Sequence, residues 1–227
     1  MFDRLADGYD LFNPLASLGL CNVWRKKLVR LAVEKCEPNR LILDIGTGTG
    51  DLIGSIADSG NKAGHSNSHL GMDFSGMMLE RAGAKFKFID NLSWVQADAA
   101  KIPIVSGTVG AVVSAFTMRN LKKIAREALA EVYRVLAPGG RIWFLDMHAP
   151  QMPVVKQLHR FYLKTVLSGI GYGVFGERWS KDYLADTILA FGPAEEFSEV
   201  LRQAGFKDVG AQRLSGGIAV IHSGVKK

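Results

Sequence analysis

Apolar residues along this chain fall into short, nearly continuous runs that alternate with longer polar stretches of helical spacing. Such runs, rich in β-branched or aromatic residues and bounded by glycine, proline or aspartate, are typical of buried parallel strands. The runs are LILDI (41–45), HLGMD (69–73), LSWVQAD (92–98), VGAVVSAFT (109–117) and GRIWFLD (140–146). The alternation predicts an α/β fold with a doubly wound, mostly parallel sheet.

The carboxyl-terminal part of the chain predicts two more strands and a last helix. The helix is expected over residues 193–204, and the strands are FKDVGAQRL (206–214) and GIAVIHSGV (217–225). We expect them to close the sheet as an antiparallel edge pair, which gives seven strands in all.

Two segments do not fit the alternation of strands and helices. Residues 1–37 predict an N-terminal helical arm that ends before the first strand at Pro38. Residues 151–190 are apolar and aromatic and too long for an ordinary connection, so we interpret them as a helical cap over the active site. The expectation is a single domain, 1–227.

Composition narrows the class of protein. The length of 227 residues and the apolar content of 48% suit one α/β domain with a full core. The net charge of +6 suits an anionic partner, but basic runs such as RKKLVR (25–30) are scattered and more typical of solvated helix faces. No secretion signal or membrane-spanning run is apparent, so a cytoplasmic protein is expected.

The two cysteines, Cys21 and Cys36, are expected to be free thiols. On one helix they would be about 22 Å apart, too far for a disulfide.

The stretch LILDIGTGTG (41–50) predicts a strand that passes through a glycine-rich turn into a helix beginning near Asp51. The dinucleotide-binding motif requires a third glycine where Asp51 stands, to bring the helix N-terminus to a pyrophosphate. A carboxylate repels phosphate but tolerates a cationic ligand. The spacing therefore favours S-adenosylmethionine, which carries a sulfonium and an amino group, over a nicotinamide cofactor.

Acidic residues also follow the second and third predicted strands, where ligands bind in such sheets. Asp73 is placed to accept hydrogen bonds from ribose hydroxyls, and Asp98 from the adenine amino group. The alternative for each is a helix N-cap. Because the glycine turn and both acids lie at strand ends, a cofactor site is the stronger interpretation. Its predicted residues are Asp44, Gly46, Thr47, Gly48, Gly50, Asp73, Phe74, Asp98 and Ala99.

With these residues in place the sequence resembles a class I methyltransferase, and specifically the ubiquinone/menaquinone biosynthesis C-methyltransferases. The resemblance covers nearly the whole chain. It rests on FDRLADGYDLFNPLASLGLCNVWRKK (2–27), FTMRN (116–120), YRVLAPGGRIWFLD (133–146) and LSGGIAVIHSGVK (214–226). The chain departs from the family pattern at Phe12, Cys21, Asp146 and His148 and in the long insertion NKAGHSNSH (61–69).

The resemblance implies methylation of a ring carbon of a polyprenylated hydroquinone. It also implies that Arg119 and Asn120 act in catalysis, with Arg119 stabilising the phenolate because arginine is too basic to accept the proton. The alternative for Arg119 is a structural salt bridge. Tyr9 and Tyr183 are candidate substrate contacts, although aromatic core packing explains either equally well.

Expected partners are the quinol, an anionic membrane surface to which the protein binds peripherally and transiently, and a second copy or a quinone-biosynthesis complex. No nucleic-acid partner is expected. No metal site is expected either, because His65 and His69 lack a third ligand. Rival functions are a methyltransferase of another hydrophobic small molecule, an inactive cofactor-binding scaffold and, motivated by charge alone, a nucleic-acid methyltransferase.

Overall fold

The computed structural model describes residues 15–175 and 183–227. The strands are β1 (Leu41–Ile45), β2 (Ser68–Asp73), β3 (Leu92–Gln96), β4 (Val109–Ala115), β5 (Leu136–Met147), β6 (Lys207–Leu214) and β7 (Ala219–Val225). The helices are α1 (Leu20–Lys35), α2 (Asp51–Lys62), α3 (Gly76–Lys85), α4 (Ala125–Val135), α5 (Pro153–Lys164), α6 (Val166–Phe175), α7 (Tyr183–Phe191) and α8 (Ala194–Gln203).

The strands form one seven-stranded sheet in the order β3-β2-β1-β4-β5-β7-β6. Strands β1 to β5 are parallel, and β7 lies antiparallel between β5 and β6. The predicted doubly wound sheet with an antiparallel edge pair is therefore confirmed. The strand order reverses between β1 and β4, which places the expected ligand crevice at their carboxyl ends.

Helices cover both faces of the sheet because its central strands are apolar on both sides. On one face Val112, Ile142 and Phe144 pack with Leu129 of α4 and Leu201 of α8. On the other face residues of β1, β4 and β5 pack against α1 and α2. Together these layers fix the carboxyl ends of β1, β2 and β4 relative to one another, which is what a binding site requires.

The described part of the N-terminal arm is the helix α1. It begins after Gly19, which has a left-handed backbone, and buries Cys21, Trp24 and Leu28 at helical spacing. The indole Nε1 of Trp24 donates a hydrogen bond to Ser215 Oγ at 2.9 Å, which ties α1 to the chain before β7. Both cysteines are free, as predicted.

The predicted cap segment, 151–190, contains α5, α6 and the described part of α7. Leu163, Leu167 and Ile188 form a small apolar cluster of their own, and Met147 at the end of β5 packs against it. Tyr162 Oη donates a hydrogen bond to the carbonyl oxygen of Ala16 at 2.8 Å, so this segment also contacts the N-terminal arm.

Within residues 15–175 and 183–227, no helix has the length and apolarity needed to cross a membrane.

Candidate cofactor and active site

A cleft of about 330 Å³ opens at the carboxyl ends of β1, β2 and β4, at the point where the strand order reverses. Eight of the nine residues of the predicted cofactor site line it: Asp44, Gly46, Thr47, Gly48, Asp73, Phe74, Asp98 and Ala99. Gly50 belongs to the same turn but does not line the cleft. Of the described residues of the cap segment, none lines this cleft. The cap over the active site therefore stays a prediction.

The glycine-rich turn brings backbone close to the cleft. Gly48 has a φ of +56°, and a side chain there would point into open space, so its backbone is free to approach a ligand. Gly50 has a φ of +82°, and a Cβ atom there would lie 2.5 Å from the ring of Trp94. The turn thus requires glycine for two reasons: its backbone is left-handed at Gly48 and Gly50, and Gly50 packs closely against Trp94 of β3.

Asp44, at the floor of the cleft, has a buried carboxyl group. Its Oδ2 accepts a hydrogen bond from Thr47 Oγ1 at 2.7 Å, whereas Oδ1 is buried without a hydrogen-bond partner. Burial raises the pKa of Asp44 to about 7. The hydrogen bond from Thr47 lowers this pKa, and the negative charge of Asp73 raises it further. An unpartnered carboxylate oxygen in this position suits a cationic group such as the ammonium of S-adenosylmethionine.

Asp73 links the glycine turn to the start of α3. Its Oδ2 accepts from the backbone N–H of Gly48 at 2.8 Å and its Oδ1 from that of Ser75 at 2.9 Å. Ser75, not Asp73, is the N-cap of α3 and accepts from the N–H of Met78. Each carboxylate oxygen retains capacity for a further donor, so Asp73 is able to accept from ribose hydroxyls.

Asp98 and Ala99 lie together beyond the end of β3. Asp98 Oδ1 accepts from the N–H of Ala100 at 2.9 Å, and Ala99 is buried in the wall of the cleft. Phe74, which also lines the cleft, exposes 76% of its surface although it is a large apolar residue. The cleft thus offers apolar surface together with the carboxylate of Asp98, a combination that suits a purine ring.

Asp51, which was interpreted as an acid near a cationic ligand, also lines the cleft. Its carboxylate already pairs with Arg25 of α1 at 3.2 Å and with Lys85 of α3 at 2.5 Å. Sequence reasoning assigned no role to Arg25 or Lys85, because neither lies near Asp51 along the chain.

Arg119 lies at the end of the β4 turn but is not among the cleft-lining residues. Its Nη1 donates to Asp146 Oδ1 at 2.6 Å and to the carbonyl oxygen of Phe116 at 2.7 Å, and its backbone N–H donates to Asp146 Oδ2. Its Nε is buried without a partner. Asn120 does line the cleft, as do Phe116 and Thr117. Sequence reasoning named Asp146 as a departure from the family pattern but did not identify it as the partner of Arg119.

Tyr9 lies outside the described residues. Tyr183 begins α7, but its side chain also lies outside the described part of the structure. Both therefore stay predictions as substrate contacts.

His148, the other departure beyond β5, belongs to a buried hydrogen-bonded chain. His148 Nε2 and His222 Nε2 are 3.0 Å apart, His148 Nδ1 lies 3.1 Å from the carbonyl oxygen of Gly192, and His222 Nδ1 lies 3.2 Å from Ser198 Oγ. Burial, with the neighbouring His148, lowers the pKa of His222 to about 3, so this residue is neutral. His222 is thus a hydrogen-bonded structural residue.

The assignment of Asp73 gives a first test. Replacing Asp73 by Ala removes the acceptor of two backbone N–H groups and of the ribose hydroxyls. We expect S-adenosylmethionine to bind about 10- to 100-fold more weakly in a calorimetric titration, because hydrogen bonds to a charged group contribute about 1.5 to 3 kcal/mol. Asp90→Ala, at an acid outside the cleft, is the control, and equal affinity of Asp73→Ala and wild type would remove Asp73 from the site.

Comparison with known proteins places the chain in a family. The model of the ubiE/COQ5 methyltransferase family matches residues 1–226. A relative from Agrobacterium fabrum, "Ubiquinone/menaquinone biosynthesis C-methyltransferase UbiE", is 34% identical over 229 residues, which cover 100% of this chain and 87% of the relative.

Solved structures agree on the fold. A "SAM dependent methyltransferase" from Aquifex aeolicus has a TM-score of 0.59 at 18% identity and 89% coverage of both chains. A phosphoethanolamine N-methyltransferase from Haemonchus contortus in complex with S-adenosylhomocysteine has a TM-score of 0.62 at 14% identity, covering 88% of this chain and 51% of that one.

Fold and cleft together define a class I methyltransferase that uses S-adenosylmethionine. The chain belongs to the ubiE/COQ5 methyltransferase family, and it is an S-adenosylmethionine-dependent C-methyltransferase. Independently of the family match, the residues of the cleft fit this cofactor. They combine a buried carboxylate oxygen without a partner, an open glycine backbone and two further carboxylates at strand ends.

Proposed function

We propose that this protein methylates a ring carbon of a polyprenylated hydroquinone in ubiquinone or menaquinone biosynthesis. The observation that carries the proposal is the family match over residues 1–226, and the cofactor cleft supports it. A demethylmenaquinol or the equivalent ubiquinone precursor is the proposed substrate.

Methylation of a hydroquinone carbon requires a reactive ring and a fixed geometry. Loss of a phenolic proton raises electron density at the ortho carbon, which takes the methyl group and then releases its own hydrogen as a proton to restore the aromatic ring. When bound, S-adenosylmethionine supplies an activated sulfonium methyl group. The contribution of the protein is to orient the partners, exclude water and stabilise the phenolate.

The binding roles follow from the cleft. The carboxylate of Asp44 holds the ammonium group at the floor, and Asp73 accepts from the ribose hydroxyls. Asp98 accepts from the adenine amino group, and Phe74 and Ala99 enclose the ring. Phe116, Thr117 and Asn120 of the FTMRN turn (116–120) line the same cleft, and there they would face the bound cofactor and the ring to be methylated.

Arg119 and Asn120 are the proposed catalytic residues. Asn120 lines the cleft. Phe116 has a φ of +62°, an unfavourable conformation for a residue with a side chain, and its carbonyl oxygen accepts from Arg119. The guanidinium of Arg119 therefore lies behind the cleft wall, paired with Asp146, and through the Phe116 turn it is proposed to favour a phenolate in front of that wall. The segment 151–190 is proposed to cover the substrate.

The experiment that tests the proposed function is mass spectrometry of quinones from cells that lack the gene. An accumulated demethyl quinone that disappears when the wild-type gene is restored is the expected result. An unchanged quinone profile would favour another hydrophobic small molecule as substrate.

Peripheral association with an anionic membrane is the second part of the proposal. The helix α5 exposes apolar Val154, Leu158 and Phe161, each by at least 65%, at positions i, i+4 and i+7. Exposed Lys156, Arg160 and Lys164 follow the same helix at four-residue spacing. The helix thus presents apolar and basic rows side by side, the pattern of helices that lie in a membrane interface.

We expect Lys156→Glu/Arg160→Glu to reduce co-sedimentation with vesicles that contain anionic lipid by about 10-fold or more, since each basic residue near such a surface contributes about 1 kcal/mol. Lys26→Glu/Lys27→Glu on α1 makes the same charge change elsewhere and is the control. Equal loss in both variants would mean that net charge alone drives binding, and no wild-type binding at low salt would contradict the proposal.

A further inference from the structure

The cleft that holds the cofactor is lined by many acids and very few bases. Asp44, Asp51, Asp73 and Asp98 line it, and of the described residues that line it Arg25 is the only lysine or arginine. S-adenosylmethionine carries a carboxylate as well as an ammonium and a sulfonium. A cleft with four carboxylates therefore needs a cation for that carboxylate, and Arg25 is the candidate.

Arg25 extends from α1 of the N-terminal arm to the mouth of the glycine-rich turn. Its Nη1 donates to Asp51 Oδ2 at 3.2 Å and to Asn22 Oδ1 at 3.3 Å, and only 14% of its side chain is exposed. Its Nε is buried without a hydrogen-bond partner. A guanidinium group that is fixed through Nη1 and lines the cleft is positioned to receive an anion.

The charge of Arg25 is only partly neutralised by its ion pair with Asp51. Asp51 is shared between Arg25 and Lys85, so one carboxylate faces two cations. The positive charge of Arg25 also lowers the pKa of Asp44, although burial of Asp44 outweighs it, so the two groups face the same part of the cleft. A cation and an anion that line the same cleft match the zwitterionic end of an amino acid.

We propose that Arg25 binds the carboxylate of S-adenosylmethionine, opposite the ammonium site at Asp44. Asp51, which also pairs with Lys85, holds the guanidinium in place. The N-terminal arm is then part of the cofactor site, and the enzyme selects ligands that retain the amino-acid carboxylate. The inference rests on the cofactor assignment and not on the identity of the methyl acceptor.

The test compares three ligands by calorimetric titration: S-adenosylmethionine, decarboxylated S-adenosylmethionine, which lacks only the carboxylate, and 5′-methylthioadenosine, which lacks the whole amino-acid part. We expect Arg25→Ala to lower the affinity for S-adenosylmethionine about 10- to 100-fold, because a charge-assisted hydrogen bond is lost. Affinity for the other two ligands should change less than about 3-fold. Arg30→Ala, the same substitution on the exposed side of α1, should change none of them.

Preserved 5′-methylthioadenosine binding shows that the cleft is intact in the variant. If Arg25→Ala does not fold, Arg25→Gln keeps a hydrogen-bonding side chain toward Asn22 and Asp51 without the charge, and the same loss of preference is expected. Equal weakening of S-adenosylmethionine and its decarboxylated form would overturn the proposal and make Arg25 a structural residue. If the wild-type protein bound none of the three ligands, the cofactor assignment itself would be contradicted. Neither of these two outcomes depends on which quinol is the methyl acceptor.

Discussion

Replacing Asp44 by Asn should weaken S-adenosylmethionine binding about 10- to 100-fold while it stabilises the unliganded protein. The affinity falls because the ammonium loses a buried carboxylate partner. The unliganded protein gains stability at pH 8 because a buried carboxyl group with a pKa of about 7 must ionise there without a cation at Oδ1. We expect a gain of about 1 to 3 kcal/mol in the free energy of unfolding.

The contribution of Asp44 to the stability of the folded protein changes with pH in a defined direction. The pKa of Asp44 is raised in the folded protein above its ordinary value of 3.8, so its favourable contribution is complete below about pH 4 and is lost as pH rises through about 7. Denaturant unfolding at pH 4 and pH 8 checks this, since the difference between wild type and Asp44→Asn should appear only at the higher pH. Asp90→Asn, at an acid outside the cleft, is the control. A stability difference that is equal at both pH values would contradict the titration of Asp44.

Replacing Arg119 by Ala should lower the turnover rate about 10²- to 10³-fold with little change in cofactor affinity, because a preorganised positive charge is lost at a developing phenolate. The same change leaves Asp146 buried and unpaired, which costs about 3 to 5 kcal/mol of stability. Single-turnover kinetics and cofactor titration, both below the unfolding temperature, separate the two effects.

A paired variant separates catalysis from folding more sharply. Arg119→Met/Asp146→Asn removes both charges, so it should recover part of the lost stability while the turnover rate stays low. If this folded variant had the wild-type turnover rate, the Arg119–Asp146 ion pair would have a structural role and no catalytic one. Loss of cofactor binding in Arg119→Ala would lead to the same conclusion.

The sequence alone predicted the parts of the fold and site that depend on local pattern. The apolar runs identified the seven strands, and the glycines and acids at strand ends identified the cleft, because parallel strands bring their carboxyl ends to one edge. The bounds were less exact: β5 begins at Leu136, whereas the predicted strand begins at Gly140.

What sequence reasoning missed depends on contacts between distant segments. Arg25 reaches Asp51 from a different helix, and Asp146 reaches Arg119 from the next strand in the sheet. No periodicity or motif encodes such pairs, since each is set by how the layers pack. Asp51 does line the cleft, but its two ion-pair partners, Arg25 and Lys85, could likewise not be predicted.

The most direct test of the proposed function is single-turnover methylation of a short-tailed demethylmenaquinol and of the corresponding benzoquinol, both kept reduced, with wild-type enzyme and S-adenosylmethionine. The account predicts that at least one quinol gains a single methyl group on a ring carbon, with one S-adenosylhomocysteine formed per methyl transferred. Methylation on oxygen, or no transfer to either quinol by enzyme that binds the cofactor, would contradict it.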